Sequence, residues 1–188
     1  MKYRFVQNDR VVNGAGAASG NLVIAISLYG SDIRNHIGAI RNAQLALSVY
    51  PGWSLRVYCE PPEPPRTLHG AVPTAVLSTL RHLNAQIFHV GPEFLAVPPK
   101  FWRFHAIVDL SLEAFIVRDA DGRLTSRDAA AVNDWLRTHK AFHCIRDHPA
   151  HEFPIMGGLW GGRPRQLAQL FNSTRYVNPI RRQSCFRC

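Results

Sequence analysis

Lysine is nearly missing from this sequence: Lys2, Lys100 and Lys140 stand against nineteen arginines. Acidic residues are also few, with 13 Asp+Glu facing 22 Lys+Arg, so the 188-residue chain carries a formal charge of +9. No apolar run approaches the ~18 residues of a membrane-spanning helix, which predicts a protein without a transmembrane segment. Residues 1–20 are polar and then Gly/Ala-rich, and they lack the apolar centre of a secretory signal. Four cysteines make no disulfide framework in a chain of this length. A reducing, cytoplasmic setting is therefore expected, with peripheral attachment at a membrane as its variant. At 46% apolar and 19% charged residues, the composition excludes a disordered or fibrous chain and fits one ordinary domain.

The arginine excess has two readings. Arginine grips phosphates and carboxylates through a planar fork, which suggests an anionic ligand. The other reading is coding bias, because Ala, Pro, Gly and Arg are abundant together. Nucleic acid is not expected as a partner, since the arginines are scattered and no basic block interleaves with aromatics.

Leu22 to Tyr29 is a near-continuous apolar run, the pattern of a strand buried on both faces. From Ser31 to Tyr50 the period changes to that of a helix, with Ile33, Ile37, Ile40, Gln44 and Leu47 on one predicted apolar face. Pro51-Gly52 ends it, and Leu55–Cys59 follows as a second strand. This βαβ start predicts an α/β fold with a mostly parallel central sheet flanked by helices, and a ligand crevice at the strands' carboxyl ends. The prolines of Glu60–Arg66 mark an extended loop. Further along, helix is expected at 74–84, strand at 86–90, helix at 101–110 and strand at 114–117. A capping box at Thr125–Asp128 opens another helix with Ala129, Val132, Trp135 and Leu136 on one face. Strand at 142–145, a glycine-rich loop through Gly162 and a short helix near 164–171 complete the pattern.

Chemistry concentrates where the strand Ala114–Val117 runs into Arg118-Asp119-Ala120-Asp121-Gly122-Arg123. Carboxylates two residues apart can address one site, and a pair at a strand's carboxyl end suits Mn²⁺ or Mg²⁺, which take hard oxygen ligands and bridge to phosphates. Arg118 and Arg123 flank the pair and are candidates to neutralise those phosphates. The plainer alternative is a polar turn whose aspartates pair with their arginine neighbours. Asp119 as a phosphoryl nucleophile would instead resemble the first motif of haloacid-dehalogenase-like phosphatases, but the paired late carboxylates of those enzymes are missing. An EF-hand alignment puts Val117 at the first ligand position and fails.

Several segments taken in order resemble glycosyltransferases of the GT-A fold, more specifically a bacterial and viral group of such transferases. They are Tyr29-Gly30, Gly38 with Arg41-Asn42-Ala43, Tyr50–Trp53, Phe101–Phe104 and Phe115–Asp121. Ala131-Val132 with Trp135, Arg146–Pro149 and Pro154–Gly161 continue the similarity, which spans roughly residues 21–163. The resemblance implies a Rossmann-like GT-A domain at 21–172 that binds a nucleotide-diphosphate sugar donor through a divalent metal. It further implies transfer of the sugar to a glycan or other hydroxyl acceptor. By that analogy Asp121 ligates the metal and Asp119 contacts ribose or metal.

Other roles follow on that footing. Tyr29 is placed to stack on the nucleobase, with an ordinary strand-end aromatic as the alternative. Arg103 is a candidate for the diphosphate, whereas Arg41 is read as solvated surface. Among the tryptophans, Trp102 and above all Trp160, set in the glycine-rich loop, are candidates for sugar contact, while Trp135 is read as core. Gly157 and Gly158 would admit a sugar close to the backbone. Asp147 is the candidate general base, with His148 and His151 as alternatives for base or metal ligand.

The chain departs from the pattern near its end. The expected acceptor-side continuation is replaced by an atypical basic tail over 173–188, ending in Cys185 and Cys188, a weak zinc signal. Residues 1–20 are expected to be a flexible N-terminal segment. A truncated end would leave the donor site built and the acceptor side open. Hence the competing readings are an active transferase, a degenerate donor-binding protein without turnover, a phosphatase using Asp119, and a basic nucleic-acid module.

Overall fold

The computed structural model describes residues 21–61, 69–91 and 94–173. The N-terminal segment and the tail from 174, with Cys185 and Cys188, lie outside the described residues. The elements run β1 (Leu22–Ser27), α1 (Ile33–Val49), β2 (Trp53–Cys59), α2 (Thr74–His82) and β3 (Gln86–His89). A 3-10 helix (Pro99–Val108), β4 (Ala114–Val117), α3 (Ser126–Leu136), β5 (Phe142–Cys144), β6 (Trp160–Gly162) and α4 (Pro164–Ser173) follow.

The strands form one mixed sheet in the order β3-β2-β1-β4-β6-β5. β1 pairs in parallel with β2 and β4, and β2 with β3. β6 is antiparallel to both β4 and β5, so β5 runs in the same direction as β4 without touching it in the ladder. The predicted α/β class with a mostly parallel sheet flanked by helices is what the chain adopts, an arrangement consistent with a Rossmann-like fold.

Alternation along β1 feeds both faces of the sheet. Ile24, Ile26 and Leu28 pack under α1, α2 and α3, whereas Val23 and Ala25 pack with Trp102 of the 3-10 helix and Leu167 of α4. Complete burial of such aliphatic side chains contributes about 1.5–3 kcal/mol each. The predicted helix at 101–110 is the 3-10 helix, tied to the preceding loop by the Trp102 indole, which donates to the carbonyls of Phe94 and Val97 at 3.1 Å.

Two expectations are corrected. The segment read as a glycine-rich loop contributes β6. Glycine has low strand propensity, but a Cβ at Gly161 would strike the Phe115 carbonyl and one at Gly162 the Leu167 side chain, so the strand fits only with glycine at these two positions. Likewise, α1 buries little of the isoleucine stripe, with only Ile40 packed partly against the core. Ile33, Ile37 and Leu47 are exposed, and the buried face is His36, Gly38, Ala39, Asn42, Ala43 and Ala46.

The reason is proximity. A Cβ at Gly38 would collide with the Ala120 carbonyl, so the helix backbone lies directly against the turn after β4. One helical turn on, the fully buried Asn42 donates from Nδ2 to the carbonyls of Gly122 (2.7 Å) and Ala120 (3.2 Å), with Asp119 O at 3.5 Å. Its Oδ1 accepts from the Leu124 amide at 3.2 Å.

Asn42→Ala strands these buried groups, each of which costs about 1–3 kcal/mol when unpaired. We expect urea denaturation to show a loss of about 2–4 kcal/mol, and a loss below about 0.5 kcal/mol would contradict the clamp.

Candidate functional site

The carboxyl ends of β1 and β4 open where the strand order reverses, the place at which α/β sheets bind ligands. A cavity of about 480 Å³ lies beside β4, bordered by Asp119, Arg123 and Thr125 of the following turn, Arg127 of α3, Asp147 after β5, and Gly158. Asp147 reaches the same edge as Asp119 because β5 shares the direction of β4.

Asp119 is held on two sides. Its Oδ1 accepts from Arg103 Nη1 at 2.6 Å, and the same nitrogen donates to Arg118 O at 2.7 Å. Arg103 is itself buried, and its backbone amide donates to the Ser27 hydroxyl at the end of β1. Against the Asp119 carboxylate lies the backbone of Gly158, where any Cβ would overlap Oδ2. Gly157 is exposed and abuts Arg103. Oδ2 of Asp119 accepts no hydrogen bond among the described residues. Asp121 is exposed, and its carboxylate makes no hydrogen bond among the described residues; Arg34 is a nearby cation.

Arg118 borders the cavity from within, with its guanidinium engaged by the protein. It is buried and forks onto Asp128, with Nε to Oδ2 at 3.0 Å and Nη2 to Oδ1 at 2.6 Å, while Nη1 donates to Val117 O at 2.7 Å. The capping box holds the acid in place: Thr125 Oγ1 accepts from the Asp128 amide at 3.1 Å. Arg123 is the contrasting case. It is exposed on the cavity wall and donates to Asp121 O at 2.9 Å, with no carboxylate partner among the described residues.

Three aromatic candidates become packing residues. Trp160 is buried in β6, stacked on Phe142 and edge-on to Phe104 and Phe115. Trp102 is wholly buried. Tyr29 is half-buried, edge-on to Trp102 with centroids 6.0 Å apart, and does not border the cavity. Trp135 is core as expected, and Arg41 is exposed, donating to Gln44. His148 is exposed outside the cavity, where its Nδ1 accepts from the Ala150 amide at 3.1 Å.

Sequence reasoning missed Asn42, Asp128 and Arg127 as builders of this site. Asn42 left a signal: with Gly38 it forms an i, i+4 pair of weak helix formers inside a helix, which calls for a tertiary reason.

Two carboxylates suffice for Mg²⁺ or Mn²⁺, which complete their shells with water and substrate phosphates. Asp121 and Asp119 Oδ2 match that donor chemistry. No group of three or more His, Cys, Asp or Glu suited to hold a metal occurs among the described residues, so no all-protein cage is built. Compared with known protein families the chain matches none, and no curated protein matches it either. No helix among the described residues is long and apolar enough to cross a membrane.

His143 of β5 stacks on Trp135 with centroids 5.3 Å apart. Burial, reinforced by the Arg118 charge, pushes its imidazole down to about 4. The unfolded chain protonates this residue near 6.5, so the folded state refuses a proton that the unfolded state accepts. Its contribution to stability is therefore complete above 6.5 and is lost as pH falls from 6.5 towards 4. His143→Gln should flatten that part of the urea midpoint–pH curve, and an unchanged slope would refute the assignment.

Proposed function

We propose that the protein is a glycosyltransferase that moves a sugar from a nucleotide-diphosphate donor to an acceptor hydroxyl, assisted by Mn²⁺ or Mg²⁺. One observation carries the reading. Asp119, which borders the cavity, and Asp121, exposed beside it, follow a buried strand in a turn clamped by Asn42, with the Asp119 carboxylate cradled by Arg103 and by a glycine backbone that no side chain could replace.

In this reading Asp121 and Asp119 Oδ2 would hold the ion, whose charge would offset that of a diphosphate leaving group. Arg123 projects from the same turn and supplies a guanidinium to the phosphates. Arg103 fixes the Asp119 rotamer, so the carboxylate is oriented before the donor arrives and little ordering remains to be done on binding. Arg118 acts indirectly: by joining the end of β4 to α3 through Asp128, it sets the wall along which the donor lies.

A thermal-shift series with uridine, guanosine and adenosine diphosphates, each with and without Mn²⁺, tests the site and the donor class together. A ligand at a hundredfold excess over its dissociation constant stabilises by about 2.7 kcal/mol, which for a chain of this size is about 5–10 °C. Asp121→Ala, a change at an exposed side chain, should abolish the Mn²⁺-dependent part of that shift while leaving the unliganded Tm in place. Mn²⁺-dependent nucleotide binding that survives Asp121→Ala would show that the aspartates do not form the site.

A further inference from the structure

We propose that the acceptor's proton is taken by His151, and that Asp147 is the positioning residue that makes this possible; the assignment rests on the glycosyltransfer reading above. Both side chains border the same cavity as Asp119 and Gly158. The carboxylate of Asp147 is engaged at both oxygens. Oδ2 lies 3.4 Å from Arg127 Nη2 of α3, and Oδ1 lies 3.3 Å from His151 Nδ1.

The two nitrogens of His151 are in different surroundings. Nδ1 is sealed from solvent, facing Asp147 in ion-pair contact but without an aligned hydrogen bond. Such contacts in ligand-free sites are often loose and tighten when substrate is bound. Nε2 makes no hydrogen bond among the described residues and is not sealed. An imidazole that keeps its proton on Nδ1, against a carboxylate, presents the lone pair of Nε2 as a base. The ring is held from the backbone side as well: the His151 amide donates to His148 O at 2.9 Å and closes the turn 148–151. In that turn His148 has the bonding role, accepting from Ala150, and its exposed ring stands beside that of His151 with centroids 5.5 Å apart.

The step balances without a further reactant. The acceptor oxygen bonds to the anomeric carbon of the donor sugar as the bond from that carbon to the diphosphate oxygen breaks. The electron pair of the broken bond leaves with the nucleoside diphosphate. The hydroxyl proton passes to His151 Nε2, and the resulting imidazolium faces the Asp147 carboxylate. Water in place of the acceptor gives donor hydrolysis by the same route.

Two measurements test the assignment. The first is ¹⁵N NMR of the ligand-free protein at a pH where the ring is neutral, which reads the His151 tautomer directly. The expected result is Nδ1–H in the native chain and a change to Nε2–H, the form favoured in free imidazole side chains, in Asp147→Ala. Nε2–H in the native chain overturns the proposal. The second measures nucleotide release from UDP-glucose and GDP-mannose alongside the Mn²⁺-dependent thermal shift. His151→Gln and His151→Ala should keep the shift and lower the rate by about 10²–10⁴-fold. Asp147→Ala should lower kcat with KM little changed. Retention of the native rate in both His151 variants overturns the proposal. A protein with the expected tautomer but no nucleotide shift with any diphosphate would instead sink the glycosyltransfer reading, so the two failures are distinguishable.

Discussion

Asn42 is wholly buried in the middle of a helix, where a carboxamide is tolerated only if its donors and acceptor are matched, and its partners are backbone groups of residues 119–124. The turn therefore has a fixed distance from α1, and α1 in turn lies on β1. Gly38 permits this approach, because any side chain there would push the helix away from Ala120. Positions of Asp119, Asp121 and Arg123 all descend from this one contact. A polar network that is fully satisfied rigidifies its surroundings, and here it rigidifies the segment with most of the charged chemistry.

The shortage of lysine also acquires a structural sense. The buried cations, Arg56, Arg103 and Arg118, are each directed at an aspartate: Asp109 at 2.8 Å, Asp119 at 2.6 Å and Asp128 at 2.6 Å. Arg118 engages both oxygens of Asp128 and a main-chain carbonyl at once, a task for a planar fork that an ammonium point charge cannot match. Part of the positive excess is thus internal architecture rather than an electrostatic field offered to a partner. Other arginines are exposed, and of these Arg123 and Arg127 border the cavity.

The pattern-driven features were legible in the sequence. The strand β1, the βαβ start, the Thr125–Asp128 cap and the strand leading to Asp119 follow from local periodicity and capping, and the structure has them. What was illegible depends on approach between distant segments. Arg118 is next to Asp119 in the chain, yet strand alternation and burial direct it to Asp128, and Asp119 is met by Arg103 instead. The isoleucines of α1 imitate a core face, but close packing selects the smallest residues for the inside and leaves Ile33 and Ile37 outside. Trp160-Gly161-Gly162 reads as a loop by propensity, whereas its identity as a strand is dictated by the neighbours Phe115 and Leu167. The candidate site was visible as two aspartates and a late acid, while the residues that hold them were visible only in three dimensions.

β6 has a consequence for the order of assembly. It is the last strand among the described residues but lies inside the sheet, between β4 and β5, so the outer strand cannot be joined to the rest until residues 160–162 have been made. Until then the edge of β4 exposes unpaired backbone groups, and β5 has no ladder partner. If β5 docked early and directly on β4, the two would have to separate again to admit the newcomer. Long-range pairing of this kind slows folding and lengthens the life of partly assembled forms. Gly161 and Gly162 let the backbone slip between its neighbours, whereas the Trp160 ring must also seat against Phe104, Phe115 and Phe142.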